Sequence, residues 1–140
     1  MDLLDVNVLV YAFREDSPHH EGIKNWIQKL VNGDDAFAVS DLALSGLIRI
    51  VTHPRIFKFP SKMPEVISFV TSLRACPNYV QVNPGPRHWE IFTGLCSQSG
   101  VKGNLVPDAY LAALAIKSGS EWITTDRDYS RFPKLRWRHP

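Results

Sequence analysis

Residues 3–10 read LLDVNVLV, a short apolar run that is interrupted by Asp5 and Asn7. Its β-branched residues favour a buried strand, and the polar residues indicate that this strand leads into a polar turn. Further short apolar segments follow along the chain, separated by segments with helical spacing. This alternation predicts an α/β fold with a mainly parallel sheet and helices on both faces. The other strands are expected at 36–39, 79–82 and 121–125, with an edge strand around Arg136 and Trp137.

The predicted helices are bounded by capping and breaking residues. Ser17 followed by Pro18 indicates the start of one helix, and Gly33 its end. Ser40 or Asp41 is expected to cap the next helix. The remaining helices are expected from Ser61, over 87–99, from Pro107 to Gly119 and, briefly, after Asp126.

The composition is that of a globular protein. The chain has 140 residues, 44% of them hydrophobic and 21% charged, and we expect one domain over residues 1–140. No apolar run approaches the roughly 18 residues of a membrane span, and the N-terminus lacks the basic region of a secretory signal. Cys76 and Cys96 are too few and too far apart for a disulfide scaffold or a structural zinc site. A cytoplasmic protein is therefore expected.

The net charge of +2 conceals an uneven distribution. Residues 1–41 carry eight acidic and three basic side chains, whereas residues 42–140 carry six acidic and thirteen basic ones. Two basic stretches, 42–64 and 127–140, also contain aromatic residues and are candidates to contact a phosphate backbone. Within them, Arg55, Lys58 and Arg127 are candidate RNA-binding residues; a solvated surface is the alternative.

Four acids are expected at the ends of strands: Asp5, Asp41, Asp108 and Asp126. Ligands of a parallel sheet bind beyond the carboxyl ends of its strands, so these side chains can meet there. Clustered carboxylates repel one another unless a divalent cation or bound protons offset the repulsion, and oxygen ligands favour Mg²⁺ or Mn²⁺. Such an ion can activate water for phosphodiester hydrolysis, although each acid at a helix start is also a plausible cap.

Several motifs, quoted in chain order, resemble those of one enzyme family across essentially the full length. They are DVNVL at 5–9, RIVTHPR at 49–55, GPRHW at 85–89, GNLVPDAYLAA at 103–113, TTDRDY at 124–129 and RFPKLRW at 131–137. Together they resemble the PIN-domain ribonucleases, in particular VapC-type toxins of bacterial toxin–antitoxin systems, in a subgroup abundant in mycobacteria.

The resemblance implies a three-layer α/β/α fold with a central, mainly parallel sheet of four to five strands. It also implies a Mg²⁺-dependent endoribonuclease, with Mn²⁺ as a substitute, that cleaves structured RNA such as tRNA or rRNA. A VapB-type antitoxin is the implied inhibitor and a homodimer the implied assembly. Asp5, Asp108 and Asp126 would be metal ligands, and Asn7 and Asn104 supporting residues. From its position, Asp41 is a further candidate catalytic acid. Ser40 and Thr125 are candidate hydrogen-bond partners of the carboxylates or a phosphate, although a serine beside a helix start is more often a cap, and Asp128 is either an outer ligand or the acid of a short helix's first turn.

One departure from the family pattern concerns the helix that follows the second strand. The family usually has a glutamate there, whereas this chain has Ser45 and Gly46 at the corresponding positions. Asp41, roughly one helical turn earlier, can take its place; otherwise Asp5, Asp108 and Asp126 hold the ion together with water.

Parts of the sequence also fit two other function classes. The DVNVL stretch is also similar to the nucleophile motif of haloacid-dehalogenase-like phosphatases, but their second aspartate is replaced by Asn7. A PIN domain that has lost catalytic power and binds RNA or protein is the remaining alternative.

Overall fold

The computed structural model describes residues 1–98 and 100–140 and contains one sheet between two layers of helices. The four strands are parallel and lie in the order β2-β1-β3-β4. The predicted three-layer α/β/α fold is confirmed. The strands are β1 (Asp2–Leu4), β2 (Phe37–Ala38), β3 (Glu121–Ile123) and β4 (Trp137–Arg138).

Six helices and two 3₁₀ turns connect and cover these strands in the described residues. Gly119, in the left-handed conformation with φ of 67°, ends the last helix as predicted. None of the helices in 1–98 and 100–140 is long and apolar enough to cross a bilayer. Ser99, the last residue of the helix expected over 87–99, lies outside the described residues. The helices are α1 (Val6–Phe13), α2 (His20–Val31), α3 (Asp41–Val51), α4 (Met63–Arg74), α5 (Gly85–Gln98) and α6 (Val106–Ser118), and the turns are Gly103–Leu105 and Arg127–Arg131.

Alternating side chains of the central strands face the two helical layers. Leu4 and Ile123 pack against the layer formed by α1 to α4. Leu3 and Trp122 pack on the opposite side, against α5 and α6. Since neighbouring strand residues point to opposite faces, one short pair of strands anchors both cores. This places the ends of β1 and β3 at the centre of the molecule.

The first strand is much shorter than the strand predicted over residues 3–10. β1 ends at Leu4, and α1 begins at Val6, whose backbone N–H donates a hydrogen bond to the Asp5 side chain at 2.7 Å. Val8 and Ala12, one turn apart, are both buried, as expected for a helix. A short buried helix and a buried strand have the same apolar composition, which misled the prediction.

Two predicted helix starts are displaced because their serines make other hydrogen bonds. Ser17 does not cap α2, because its hydroxyl donates to the Tyr11 carbonyl at 3.0 Å, and the helix begins at His20. Ser61 does not cap α4 either, because its hydroxyl accepts a hydrogen bond from the Arg14 guanidinium at 3.1 Å. In both cases a contact with the α1 segment replaces the expected cap.

The strand expected at 79–82 does not form. Only Tyr79 makes an isolated parallel bridge, to Phe37 of β2. The Tyr79 hydroxyl also donates to the Val39 carbonyl at 2.9 Å, so the segment is fixed beside the sheet without extending it. β2 is thereby an edge strand, and β4 lies at the opposite edge as predicted.

Candidate functional site

A cavity of about 470 Å³ opens at the carboxyl ends of β1 and β3. Three of the predicted acids line it: Asp5 after β1, Asp108 in the first turn of α6, and Asp126 after β3. We call this cavity the acidic pocket. The parallel topology brings together three carboxylates that are far apart in the sequence.

Asp5 is the most deeply buried of these acids, with 3% of its surface exposed. One carboxylate oxygen accepts a hydrogen bond from the Val6 backbone, and the other accepts one from the Thr124 hydroxyl at 2.6 Å. Burial, reinforced by the negative charges of Asp108 and Asp126, nevertheless raises the pKa of Asp5 from 3.8 to about 7. A positive charge in the acidic pocket would therefore stabilise the ionised form of the Asp5 carboxyl group.

Asp108 and Asp126 are less buried, and protein donors contact both. Burial, followed by the charge of Asp126, raises the pKa of Asp108. One Asp108 oxygen accepts a hydrogen bond from the Tyr129 hydroxyl at 3.4 Å. Asp126 accepts a hydrogen bond from the Asp128 backbone at 2.9 Å and so caps the Arg127–Arg131 turn. Capping and lining the pocket are thus compatible roles for one carboxylate.

The Thr124 hydroxyl connects the acids to their supporting residues. Besides donating to Asp5, it accepts hydrogen bonds from the Asn7 side-chain amide at 3.2 Å and from the Asp126 backbone N–H at 3.0 Å. The side-chain oxygen Oδ1 of Asn7 in turn accepts a hydrogen bond from the Thr125 backbone N–H at 3.4 Å. This network fixes the end of β1 to the end of β3 at the level of the carboxylates.

Sequence reasoning missed three residues of the site. The strand predicted over 121–125 contains Thr124, whereas Thr124 is the first residue after β3. Tyr129 is buried and reaches Asp108; its position three residues after Asp126, in a turn, was the available signal. Arg49 also lines the pocket, one helical turn after Ser45.

Asp41 does not lie with the other three acids. Its carboxylate accepts a hydrogen bond from the Arg74 guanidinium at 2.7 Å, its side chain is 69% exposed, and it does not line the acidic pocket. The face of α3 that borders the pocket carries Leu42, Ser45 and Gly46. Neighbouring residues of a helix point in different directions, so Asp41 is turned away from the pocket while Leu42 lines it. The expected substitution of Asp41 for the missing glutamate therefore has no support in this geometry.

The predicted supporting residues divide into several groups. Asn104 lines the acidic pocket, as Asn7 does. Ser40 instead caps α3, where its hydroxyl accepts a hydrogen bond from the Ala43 backbone at 3.1 Å. The side chain of Asp128 is exposed beyond the pocket, and Thr125 lines a neighbouring cavity.

The predicted RNA-binding residues are all exposed. Arg55 and Lys58 lie in the segment that joins α3 to α4, and Arg127 directly follows Asp126. Arg14 anchors the connecting segment, because its guanidinium carbon lies 3.9 Å from the centre of the Phe57 ring. The basic side chains are thus presented to solvent on a fixed backbone.

The acidic pocket fits a hydrated Mg²⁺ ion in its donor chemistry. Its ligands would be carboxylate oxygens, and burial together with the charges of Asp108 and Asp126 raises the pKa of Asp5, so a cation there would favour its ionised form. Among residues 1–98 and 100–140, no three His, Cys, Asp or Glu side chains are close enough to form a complete metal-binding group. Mg²⁺ usually keeps several waters and takes only one or two protein carboxylates, so the pocket suits this ion better than one that needs an all-protein cage.

We predict that Thr124→Val lowers the free energy of unfolding by about 1–3 kcal/mol, because the buried Asp5 oxygen loses its donor. Urea unfolding at pH 8 measures this change. Thr124→Ser, which keeps the hydroxyl, is the matched control. Equal losses in the two variants would show that the methyl group, and not the hydrogen bond, is responsible.

Comparisons with known proteins identify the family of the chain. The sequence profile of the PIN domain matches residues 3–135. Ribonuclease VapC43 of Mycobacterium tuberculosis is 40% identical over 137 residues, which cover 98% of this chain and 93% of the relative. Ribonuclease VapC31 of the same species is 39% identical over 140 residues, covering 100% of this chain and 99% of the relative.

Solved structures with the same fold include VapBC2 of Rickettsia felis bound to a promoter DNA fragment. That chain superposes with a TM-score of 0.73 at 20% identity, covering 99% of this chain and 97% of its own. VapC20 of Mycobacterium tuberculosis, a toxin that cleaves the sarcin-ricin loop, superposes with a TM-score of 0.65 at 14% identity, covering 97% and 99%. The chain therefore belongs to the PIN domain family, and its full-length relatives are VapC ribonucleases.

Proposed function

We propose that the protein is a Mg²⁺-dependent endoribonuclease toxin of a type II toxin–antitoxin system. The observation that carries this proposal is the convergence of Asp5, Asp108 and Asp126 on one cavity at the end of the parallel sheet. The ribonuclease names of the full-length relatives support it. Structured cellular RNA, such as tRNA or rRNA, is the proposed substrate, and such an enzyme would act in the cytoplasm.

In the proposed mechanism, Asp5, Asp108 and Asp126 would hold the metal together with its coordinated waters. When bound, Mg²⁺ acidifies a coordinated water and neutralises charge on the reacting phosphate. Thr124 and Val6 hold the Asp5 carboxylate in one orientation through their hydrogen bonds. These hydrogen bonds fix the Asp5 carboxylate before the substrate binds. Such preorganisation of charged groups usually makes the largest contribution to the rate of an enzyme.

Basic side chains around the acids would position the RNA backbone. Arg49 borders the pocket itself, and Arg127 directly follows Asp126. Arg55 and Lys58 extend this cationic surface along the segment between α3 and α4. Such contacts supply affinity and register, whereas the choice of sequence depends on contacts with the bases.

The proposed inhibitor is a VapB-type antitoxin. Several structural neighbours are toxin–antitoxin complexes, among them VapBC-1 of nontypeable Haemophilus influenzae, with a TM-score of 0.68 and 18% identity. A pocket lined by three carboxylates would attract a basic side chain from such a partner. We also propose a homodimer; Trp89 of α5, 62% exposed, is a candidate contact.

A second candidate function is that of an RNA- or protein-binding PIN domain with little catalytic power. The observation that favours it is the face of α3, where Ser45 and Gly46 border the pocket in place of an acid. Incubating the purified chain with a structured RNA transcript in Mg²⁺, Mn²⁺ or EDTA separates the two candidates. Cleavage only in the presence of the metals supports the nuclease, whereas binding without cleavage in all three conditions supports the binding module.

We predict that Asp41→Asn leaves cleavage within about twofold of the parent and changes stability by less than about 1 kcal/mol, because the Asp41–Arg74 pair is exposed. The initial rate of RNA cleavage and urea unfolding measure the two effects. A tenfold or greater loss of rate would mean that Asp41 turns toward the metal when substrate binds.

A further inference from the structure

A second cavity, of about 690 Å³, lies beside the acidic pocket and has a different character. It is bordered by α1, α2 and the C-terminal residues of the chain, including Tyr11, Trp26, Lys29 and His139. We call this cavity the flanking subsite. Neither the metal site nor the basic segment between α3 and α4 includes any of these side chains.

One hydrogen bond joins a lining residue of the acidic pocket to a lining residue of the flanking subsite. Asn7 lines the acidic pocket, Thr125 lines the flanking subsite, and the Thr125 backbone N–H donates to the Asn7 side-chain oxygen at 3.4 Å. Tyr11 lies one turn of α1 after Asn7 and so continues the same helical face into the flanking subsite. The linings of the two cavities therefore follow one another along this face of α1.

The lining of the flanking subsite is aromatic and carries one positive charge. Lys29 supplies this charge, His19 and His139 supply imidazole nitrogens, and the lining in the described part of the chain includes no Asp or Glu. Trp26 and Tyr11 offer aromatic surfaces of the kind on which nucleobases stack. Phosphate and base chemistry are therefore both available within one cavity.

Trp26 is held in place before any ligand binds. One side of the indole packs against the core formed by α1 to α4, and the Arg138 guanidinium carbon lies 5.7 Å from the ring. Arg138 is itself fixed by ion pairs with Asp2 at 2.8 Å and Glu121 at 3.3 Å. A preorganised aromatic surface loses little entropy on binding, so it suits recognition of a flexible ligand.

We propose that the flanking subsite binds a nucleotide of the RNA next to the phosphodiester held at the acids, with its phosphate at Lys29 and its base against Trp26. This inference rests on the proposed ribonuclease function. RNA is favoured over an antitoxin segment as the occupant because the positive charge of Lys29 and the aromatic surface of Trp26 lie in one cavity, a combination that suits a nucleotide. A polyanion is attracted to the flanking subsite and reaches the acids through bound metal.

The test measures binding of a fluorescent single-stranded oligoribonucleotide in EDTA, where the metal-dependent enzyme cannot cleave it. Lys29→Glu is expected to raise the Kd at least about fivefold and to reduce the salt dependence by about one phosphate contact. Lys24→Glu, on the same helix but outside the cavity lining, makes the same change of charge and is expected to have less than a twofold effect. Trp26→Leu is expected to weaken binding by about tenfold, provided that its unfolding curve shows a folded protein.

Photo-crosslinking with 4-thiouridine in the oligonucleotide gives a second measurement. Attachment to peptides that contain Trp26 or His139 supports the proposal. Equal effects of Lys29→Glu and Lys24→Glu, or crosslinks confined to the segment between α3 and α4, would overturn it. So would loss of antitoxin binding in Lys29→Glu with oligonucleotide binding intact, which would assign the cavity to the protein partner.

Failure of this inference and failure of the proposed function give different results. If the parent protein cleaves RNA and Lys29→Glu leaves KM, kcat and the oligonucleotide Kd unchanged, only the flanking subsite is disproved. If the parent protein neither binds nor cleaves RNA under any metal condition, the proposed function fails, and the inference fails with it.

Discussion

Asp5→Asn is expected to reduce metal-dependent RNA cleavage by about three orders of magnitude, because loss of one metal carboxylate removes several kcal/mol of transition-state stabilisation. Asp5 is the most buried of the three acids and the one whose orientation is fixed by two hydrogen bonds. Initial rates on a structured RNA in saturating Mg²⁺ measure the effect. We expect the same result for Asp108→Asn.

Asp34→Asn is the matched control for this experiment. Asp34 is an exposed acid in the turn before β2, and its replacement makes the same chemical change away from both cavities. We expect its cleavage rate to remain within about twofold of the parent, as is usual for surface substitutions. An Asp5→Asn protein that is folded and retains more than a tenth of the parent rate would contradict the proposed role of Asp5.

The second large effect concerns stability as a function of pH in the absence of metal. The pKa of Asp5 is about 7 in the folded protein against an ordinary value of 3.8. Between pH 3.8 and about 7, the folded state therefore holds a proton that the unfolded state has released. The resulting contribution to the stability of the folded state is complete below pH 3.8. The contribution disappears as the pH rises through about 7. The shift corresponds to roughly 4 kcal/mol.

Comparison with Asp5→Asn isolates this contribution from those of other groups. In EDTA, the stability of Asp5→Asn relative to the parent is expected to rise by about 2–4 kcal/mol between pH 5 and pH 8, because only the parent acquires the buried charge. Urea unfolding at both pH values measures the difference. A difference that stays constant between the two pH values would mean that Asp5 is already ionised at pH 5.

Metal should reverse this destabilisation. Mg²⁺ added at pH 8 is expected to raise the melting temperature of the parent, since a ligand that binds only the folded state stabilises it. The same addition should have little effect on Asp5→Asn. Equal stabilisation of both proteins would place the ion elsewhere.

The three pocket acids could be located from sequence because they follow a simple rule. Asp5 directly follows β1, Asp126 lies three residues after β3, and Asp108 is in the first turn of a helix at the same edge, so the topology brings them together. Asp41 satisfies the same rule but lies outside the pocket, where its carboxylate accepts a hydrogen bond from Arg74, 33 residues away. Pairing between distant side chains leaves no periodic signal in the sequence.

For the fold, too, the overall architecture could be predicted from the sequence and a local detail could not. The alternation of strands and helices was sufficient to predict a three-layer parallel architecture, but not the end of the first strand. The Val6 backbone N–H donates a hydrogen bond to the Asp5 side chain, and α1 begins there, inside an apolar run. The hydroxyl of Thr124 was hidden for a related reason, because a buried threonine near a strand is ordinary until its partners are known.

The sheet order also has a consequence for biosynthesis. β1, at the N-terminus, pairs with β2 and β3, and the hydrogen bond from Thr124 to Asp5 spans 119 residues. Pairings between such distant segments form late, when most of the chain is already available. We therefore expect the three carboxylates to come together only after the segment around Asp126 has left the ribosome.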